Sequence, residues 1–339
     1  HEPLHHRAAH RGAQQRRLTG PAFFPSSASP PPPARVSEPH QRDFLAPAVL
    51  GKLLGLPLNA RSPMMGSVAG RHRSPVRGSA IEFAQYRKYV PGDDTRRLDW
   101  RTWGRTDRYY IKEFEADTNL RLCLIVDTSG SMGYGEPGST RLDYARRLAG
   151  TLAYLAGQQG DAIGLYGAST GFDRETPPRR GPRHLGLVLD HIAGLRAEGE
   201  SGLVQAIHEA AEKIRQRALI VIFSDFLFPP EPLREAFQHL RFRKHDVSVF
   251  HLLDREEIDF TFDRPTRFLD LEGGPSLLAD PSLIQRRYRE AVKEYLETVN
   301  DIVNHSSVDY HRTFLDERYD EVLARFLLGR NPKTTRTAR

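Results

Sequence analysis

Cysteine is nearly missing from this sequence, which has only Cys123 among its 339 residues. A single thiol can form neither an internal disulfide nor a thiol-rich metal site, so a reducing cytoplasm is the expected environment. Long apolar runs are missing as well. The two longest, residues 122–126 and 218–223, are far shorter than the ~20 residues of a membrane-spanning helix, and no stretch resembles a signal peptide. We therefore expect no contact with a membrane.

The formal net charge of +6 is unevenly distributed along the chain. Residues 1–50, 51–108 and 330–339 have net charges of +3, +7 and +4, whereas residues 109–329 have a net charge of −8. A basic front segment beside an acidic body favours electrostatic contacts within the protein or with a protein partner over a phosphate-binding face. We therefore expect no nucleic-acid partner.

Composition divides the chain into four parts. Residues 1–42 are rich in proline and histidine without apolar periodicity, which predicts a disordered extension. Residues 43–120 begin with a helical apolar pattern and continue with strand-length aromatic runs, which predict a small N-terminal β-rich subdomain. Residues 121–329 follow as an α/β domain, and residues 330–339 form a basic tail. Within the second part, Pro91-Gly92-Asp93-Asp94 is interpreted as a turn rather than as a carboxylate pair.

The main candidate site follows the apolar run 122–126. Five consecutive apolar residues predict a strand buried on both faces, as in a parallel sheet. Asp127, Ser129 and Ser131 alternate at its carboxyl end, with Gly130 relaxing the backbone between the two serines. One carboxylate and two hydroxyls can converge there, and such an all-oxygen set suits Mg²⁺ or Mn²⁺ rather than zinc. The sequence therefore predicts a metal site.

Beyond this strand, strand-like and helix-like patterns alternate. The alternation predicts an α/β fold with a doubly wound, mainly parallel sheet whose site lies at the carboxyl ends of the strands. Asp225 follows the apolar run 218–223, so it is expected at the same edge as Asp127. Ser201 comes just before a helical pattern at 203–214. It is a candidate for the N-cap of that helix, and this role does not exclude a second one as a metal ligand.

The Asp-x-Ser-x-Ser sequence at 127–131 resembles the metal-ion-dependent adhesion site of von Willebrand factor A domains. The resemblance implies a von Willebrand A-like fold for residues 121–329. It also implies that the remaining ligands are Ser201, at a position where that family usually has threonine, and Asp225. The expected metal ligands are thus Asp127, Ser129, Ser131, Ser201 and Asp225.

A second resemblance is carried by the front segment. Its residues are Arg73-Ser74-Pro75, Glu82-Phe83-Ala84, Tyr86-Arg87, Tyr89, Pro91-Gly92-Asp93-Asp94, Leu98-Asp99-Trp100 and Gly104-Arg105-Thr106. Together they resemble the bacterial family catalogued as domain of unknown function 58, over about residues 43–329. Members of that family join such a segment to a von Willebrand A-like domain and are typically encoded beside a MoxR-type AAA+ ATPase. The resemblance therefore implies such an ATPase, or its substrate, as a partner.

Three classes of function follow from these features. The first is a non-enzymatic, metal-dependent interaction module whose open coordination position accepts an acidic side chain of a partner. The second is a metal-dependent hydrolase or phosphotransferase with Asp127 as nucleophile, although such chemistry usually has a second carboxylate where this chain has Ser129. The sequence also lacks a phosphate-binding glycine loop and a Gly-x-Ser-x-Gly elbow. The third is a structural scaffold. We favour the first.

Overall fold

A computed structural model describes residues 24–25, 42–60, 81–88, 102, 104–105, 109–116, 120–169, 171–262, 264–269, 271 and 277–330. Its strands are β1 (Phe24–Pro25), β2 (Ile81–Lys88), β3 (Tyr110–Ala116), β4 (Arg121–Asp127), β5 (Ala162–Ser169), β6 (Gly171–Arg179), β7 (Leu219–Ser224), β8 (Asp246–Leu253), β9 (Thr266–Leu269), β10 (Leu277–Ala279) and β11 (Asp309–Phe314). Its helices are α1 (Pro47–Leu53), α2 (Arg141–Gln158), α3 (Pro182–Ala193), α4 (Leu203–Lys213), α5 (Glu231–Phe242), α6 (Arg255–Asp259), α7 (Pro281–His305) and α8 (Tyr319–Gly329).

The central element is a six-stranded sheet with the order β11-β8-β7-β4-β5-β6. Neighbouring strands are parallel except for β6, which pairs antiparallel with β5 at one edge. The chain leaves β4 toward β5 and β6, and then returns to add β7, β8 and β11 on the other side. The predicted doubly wound, mainly parallel α/β sheet is confirmed, and its topological switch point lies between β4 and β7.

Two apolar layers cover the sheet. One face packs against α1, α2, α3 and α8, and the other packs against α4, α5 and α7. The side chains of β4 alternate between them: Leu122, Leu124 and Val126 face the first layer, while Cys123 and Ile125 face the second. Burial on both faces explains why this strand is an uninterrupted apolar run. Thr140 and Asp143 form a capping box at the start of α2, which the Thr-x-x-Asp spacing predicts.

Two parts of the sheet region were predicted incompletely. The sequence of residues 255–280 predicts a loop or a short hairpin, and the structure has the antiparallel β9–β10 hairpin there together with the unpredicted helix α6. Strand β6 was not predicted because Pro177 and Pro178 fall inside it. Proline lacks the amide hydrogen that a central strand needs, but an edge strand tolerates it, and β6 is at the edge.

The front of the chain is described in part. Strands β2 and β3 pair antiparallel, as the aromatic runs predicted. The turn at Pro91–Asp94 and the side chain of Trp100 lie outside the described residues. Within the extension predicted to be disordered, Phe24 and Pro25 form a short strand that pairs with β9, which departs from the prediction. Within the described part of the chain, no helix is both long and apolar enough to cross a membrane.

Candidate functional site

The carboxyl ends of β4 and β7 meet at the switch point of the sheet. Val126 is in register with Phe223, so the next residues, Asp127 and Ser224, lie side by side at the edge. Asp225 follows directly. All three polar residues are buried. The sheet topology therefore brings Asp127 and Asp225 to one buried end of the sheet, which we call the crevice, as their positions after two apolar strands predicted.

Three serines donate hydrogen bonds to the Asp127 carboxylate. Its Oδ1 accepts a hydrogen bond from the Ser129 backbone amide at 3.0 Å. Its Oδ2 accepts one from the Ser224 hydroxyl at 2.6 Å and a longer one from the Ser201 hydroxyl at 3.4 Å. These bonds fix the orientation of the carboxylate before any ligand binds.

A short 3-10 turn at Gly130–Gly133 brings the two other predicted hydroxyls together. The Ser129 and Ser131 hydroxyl oxygens are 3.0 Å apart. A Cβ at Gly130 would overlap the backbone carbonyl of Leu271, so only glycine fits this position without a shift of the backbone. The side chains of Asp127, Ser129, Ser131 and Ser201 thus form one group linked by direct contacts.

Ser201 reaches this group because its loop is bound to the loop that follows β4. The Glu198 amide donates to the Thr128 carbonyl at 2.9 Å, and the Gly130 amide donates to the Gly199 carbonyl at 2.8 Å. Helix α4 is capped by Gly202 without a side-chain hydrogen bond. The alternative interpretation of Ser201 as the helix N-cap is therefore wrong, and its hydroxyl is turned toward Asp127 instead.

Asp225 is bound to a buried arginine that the sequence analysis did not single out. Arg141, the first residue of α2, is completely buried, and its Nη1 lies 3.1 Å from Asp225 Oδ2 and donates to the Ser131 carbonyl at 2.9 Å. Its Nη2 forms an ion pair with Glu257 of α6. Arg141 therefore connects the serine turn, the end of β7 and α6 at the edge of the crevice.

Burial and charge shape the electrostatics of the crevice. Burial, and then the negative charge of Asp225, raise the pKa of Asp127 to about 6, against hydrogen bonds from Ser224 and Ser129 that lower it. Burial also raises the pKa of Glu257, although Arg141 opposes the shift. Burial alone would lower the pKa of Arg141, but Glu257 and Asp225 raise it, so the guanidinium stays charged. The crevice thus concentrates negative charge away from water.

A second layer supports the end of β7. His251 of β8 contacts the Asp225 carbonyl through Nε2 at 3.0 Å and the Tyr310 hydroxyl through Nδ1 at 2.6 Å. Burial lowers the pKa of His251 to about 3, so this ring is neutral at ordinary pH. The Phe226 carbonyl accepts a hydrogen bond from Tyr295. Residues of β8, β11 and α7 therefore hold the backbone around Asp225.

The donor set fits a small, hard divalent cation. Its ligand atoms are carboxylate and hydroxyl oxygens, which such ions prefer. The described residues contain no cluster of three or more His, Cys, Asp or Glu side chains suited to a metal ion, so the hydroxyls are needed to complete any site. Asp225 differs from the other four expected ligands, because one of its oxygens is ion-paired with the buried Arg141 and the other accepts a hydrogen bond from the Leu227 amide.

Sequence reasoning missed three residues that contact the expected ligands or their partners: Ser224, Arg141 and Glu257. Ser224 had a local signal, since it comes just before Asp225 at the end of an apolar strand. Arg141 and Glu257 had no such signal, because Arg141 meets Asp225 across 84 residues of sequence and Glu257 reaches the site only through its ion pair with Arg141.

Comparisons with known proteins agree with the resemblance of the front segment. A family model described as "Protein of unknown function DUF58" matches residues 85–298. The uncharacterized protein Rv1480 of Mycobacterium tuberculosis is 29% identical over 238 residues, which make up 68% of this chain and 74% of that protein.

Two solved structures resemble the chain at low sequence identity. BatB of Bacteroides thetaiotaomicron has a TM-score of 0.44 and 15% identity, and the match covers 62% of this chain and 98% of BatB. The SpRpn10 VWA domain has a TM-score of 0.37 and 12% identity, and the match covers 63% of this chain and 96% of that domain. Because the matching family model spans more than half of the sequence, the chain belongs to the DUF58 family of proteins of unknown function.

Proposed function

We propose that this chain is a non-enzymatic protein-interaction module that depends on a bound Mg²⁺ or Mn²⁺ ion. The observation that carries the proposal is the contiguous group of oxygen-bearing side chains on Asp127, Ser129, Ser131 and Ser201 at the switch point of the sheet. Asp225 contributes negative charge beside this group. When bound, the ion would supply an open coordination position for an acidic side chain of a partner.

The balance of charge supports a divalent ion. Asp127, Asp225 and Glu257 supply three buried or mostly buried carboxylates, whereas Arg141 supplies one guanidinium. When all four are ionised, the net charge is −2, which a single divalent cation would neutralise. Uncompensated charge is costly in a buried site, so such a cation would be favoured there.

The alternative of an Asp127 nucleophile receives less support. Its two carboxylate oxygens accept hydrogen bonds from Ser129, Ser201 and Ser224. Hydrogen bonds of this kind orient a carboxylate as a ligand, while a nucleophile needs an oxygen directed at its substrate and a partner acid or base. Reproducible turnover of phosphate esters that is lost in Asp127→Asn would establish the enzymatic alternative instead.

Metal binding is tested by titrating Mn²⁺ into the protein in a calorimeter. Asp127→Ala removes the ligand, and Asp127→Asn removes its charge while keeping its size, so we expect binding to be lost in both. Asp301→Ala is a matched control, because Asp301 is an exposed acidic residue of α7. Equal affinity in Asp127→Asn and the wild type, or no binding by the wild type, would refute the metal site.

The partner is proposed from the family resemblance, which points to a MoxR-type AAA+ ATPase or its substrate. The purified ATPase encoded nearest the gene should bind the wild-type protein and the Asp301→Ala control, but not Asp127→Asn. This variant is a cleaner test than a chelator, since the ATPase itself uses Mg²⁺ with ATP. Binding that Asp127→Asn leaves unchanged would show that the crevice is not the docking point.

A further inference from the structure

Three exposed leucines lie in segments that contact residues around the candidate site. Leu271 and Leu278 belong to the insertion, defined as residues 254–280, and Leu283 lies in the first turn of α7. Leu278 is 72% exposed and Leu283 is 80% exposed, while Leu271 is 39% exposed. Large apolar side chains left in water beside a candidate site are typical of an interaction surface. We call Leu271, Leu278 and Leu283 the rim leucines.

The rim leucines are continuous with the candidate metal site. The Leu271 carbonyl packs so closely on Gly130 that a Cβ there would overlap it. Leu278 lies on β10, which pairs with β9, and β9 ends two residues before Leu271. The segment between β9 and β10 therefore meets the serine turn at Leu271, and both strands of the hairpin lead away from that contact.

The insertion is also anchored to the site through α6, which lies at its beginning. Glu257 of α6 is ion-paired with Arg141, which binds Asp225. The first turns of α7 are bound to the end of α6, since Gln285 donates to the Phe260 carbonyl at 2.9 Å. The position of Leu283 is thus fixed, through α6, by residues of the crevice itself.

Basic side chains accompany the exposed leucines. Arg267 lies directly across the hairpin from Leu278. Arg286 and Arg287 follow Leu283 by three and four residues, so they share its side of the helix, and both are exposed. A surface that combines leucine with arginine complements a segment that combines apolar and acidic side chains.

We propose that the rim leucines and these arginines bind a partner protein through a segment in which an acidic side chain is flanked by apolar ones. The apolar side chains pack on Leu278 and Leu283. The acidic side chain enters the crevice, where it completes the metal shell. This last contact rests on the proposed metal-dependent function, whereas the apolar contact does not.

The probe for this proposal is a phage-displayed library of random peptides, selected on the full chain with Mn²⁺ present. We expect the enriched peptides to share an acidic residue between apolar residues. A synthetic consensus peptide, and its Asp→Asn or Glu→Gln version, then serve in a fluorescence polarisation assay. Leu278→Asp and Leu283→Asp should each weaken binding of the consensus peptide by about tenfold or more.

Phe242→Asp is the matched control. Phe242 is 83% exposed, and it ends α5, which runs from the carboxyl end of β7 to the amino end of β8. It therefore lies at the opposite end of the sheet, and its substitution should leave peptide binding unchanged. No enrichment, enrichment of a basic motif, or an equal loss in Phe242→Asp and Leu278→Asp would overturn the proposal.

The variants also separate this proposal from the metal-dependent function. Binding that is lost in Asp127→Asn but kept in Leu278→Asp and Leu283→Asp would refute the rim surface and leave the metal site standing. Binding that is lost in the leucine variants but kept in Asp127→Asn would support the rim surface and refute the contact with the metal site. Sedimentation of the protein with anionic phosphatidylglycerol vesicles, abolished by Leu278→Asp, together with no peptide enrichment, would assign the surface to a membrane instead.

Discussion

At the scale of single residues, Gly130 has less room for a side chain than Gly133 or Gly199, two other glycines around the candidate site. A Cβ there would overlap the Leu271 carbonyl, which belongs to the backbone and cannot rotate away. We expect Gly130→Ala to destabilise the protein by about 1–3 kcal/mol, measured by urea unfolding, because it forces a shift of the insertion.

Gly51→Ala provides the matched control for this substitution. Gly51 lies inside α1, and nothing lies within 4 Å of the position of its Cβ. The same chemical change should stabilise the protein there by about 0.5–1 kcal/mol, because alanine loses less backbone entropy in a helix. Equal effects at both positions would contradict the close approach of Leu271.

His245 makes stability depend on pH. Burial first, and then the charges of Arg243 and Arg217, lower its pKa from 6.5 to about 4. Its Nδ1 accepts a hydrogen bond from the Ala218 amide at 3.2 Å, which only an unprotonated nitrogen can do. As the pH falls below about 6.5, the unfolded state binds a proton before the folded state does. The contribution of His245 to the free energy of unfolding is therefore fully present above about pH 6.5, and it falls progressively as the pH is lowered from there to about pH 4.

The expected slope from His245 alone is about 1.4 kcal/mol per pH unit over this range. It is measured as the difference in the free energy of unfolding between pH 7 and pH 5 for the wild type and for His245→Gln, which cannot titrate. The wild type should lose more stability than the variant. Parallel pH profiles would show that His245 does not titrate differently in the two states.

At the scale of secondary-structure elements, Arg141 connects α2 with three other elements. It binds the serine turn through the Ser131 carbonyl, the end of β7 through Asp225 and α6 through Glu257. Its guanidinium also lies over the Tyr134 ring, 4.8 Å from the centroid. A buried cation with these partners has no neutral substitute, because its removal leaves carboxylates without a counter-charge.

We expect Arg141→Met to cost about 3–5 kcal/mol of unfolding free energy, since it leaves Asp225 and Glu257 unpaired. Combining it with Glu257→Gln should cost less than the sum of the two single changes, because the second change removes one unpaired charge. A difference of about 0.5 kcal/mol or more from additivity, measured by urea unfolding, would establish the coupling. Strict additivity would contradict it.

At the scale of the whole molecule, a second buried arginine closes the end of the sheet opposite the crevice. The sequence analysis placed Arg330 at the start of the basic tail. Its guanidinium is instead buried, ion-paired with Asp246 at 3.0 Å and Asp309 at 3.5 Å, and bound to the Ser248 hydroxyl at 2.6 Å. Asp246 and Asp309 are the first residues of β8 and β11, so Arg330 joins the amino ends of two strands.

Because Arg141 and Arg330 lie at opposite ends of the sheet, we expect that stability and metal binding can be changed independently. Arg330→Met should destabilise the protein by about 3 kcal/mol, because it leaves Asp246 and Asp309 without their cation. The affinity of the folded protein for Mn²⁺ should stay unchanged, since the crevice lies at the other end of the strands. Calorimetry that finds a weaker affinity below the unfolding transition would contradict this separation.

Much of the fold was determined by the sequence itself. The run 122–126 predicted a buried strand because burial on both faces requires apolar side chains at every position. The alternation of such runs with helical patterns predicted the doubly wound sheet. The carboxyl ends of strands on either side of a switch point meet, so the sequence alone places Asp127 and Asp225 at one end of the sheet. Strand β6 was not predicted, because its two prolines are unusual in strands and are tolerated only at the edge of a sheet.

Only the tertiary structure decided what surrounds those two aspartates. The orientation of Ser201 depends on backbone hydrogen bonds between the 128–130 and 198–199 loops, which no local pattern encodes. The partners of Asp225 come from α2 and α6, which are separated from it along the chain. Local periodicity reports which side of an element is buried, whereas the identity of its buried neighbour depends on how distant elements pack. The sequence thus determined the sheet and its polar edge, and packing alone brought Arg141, Glu257 and the rim leucines to that edge.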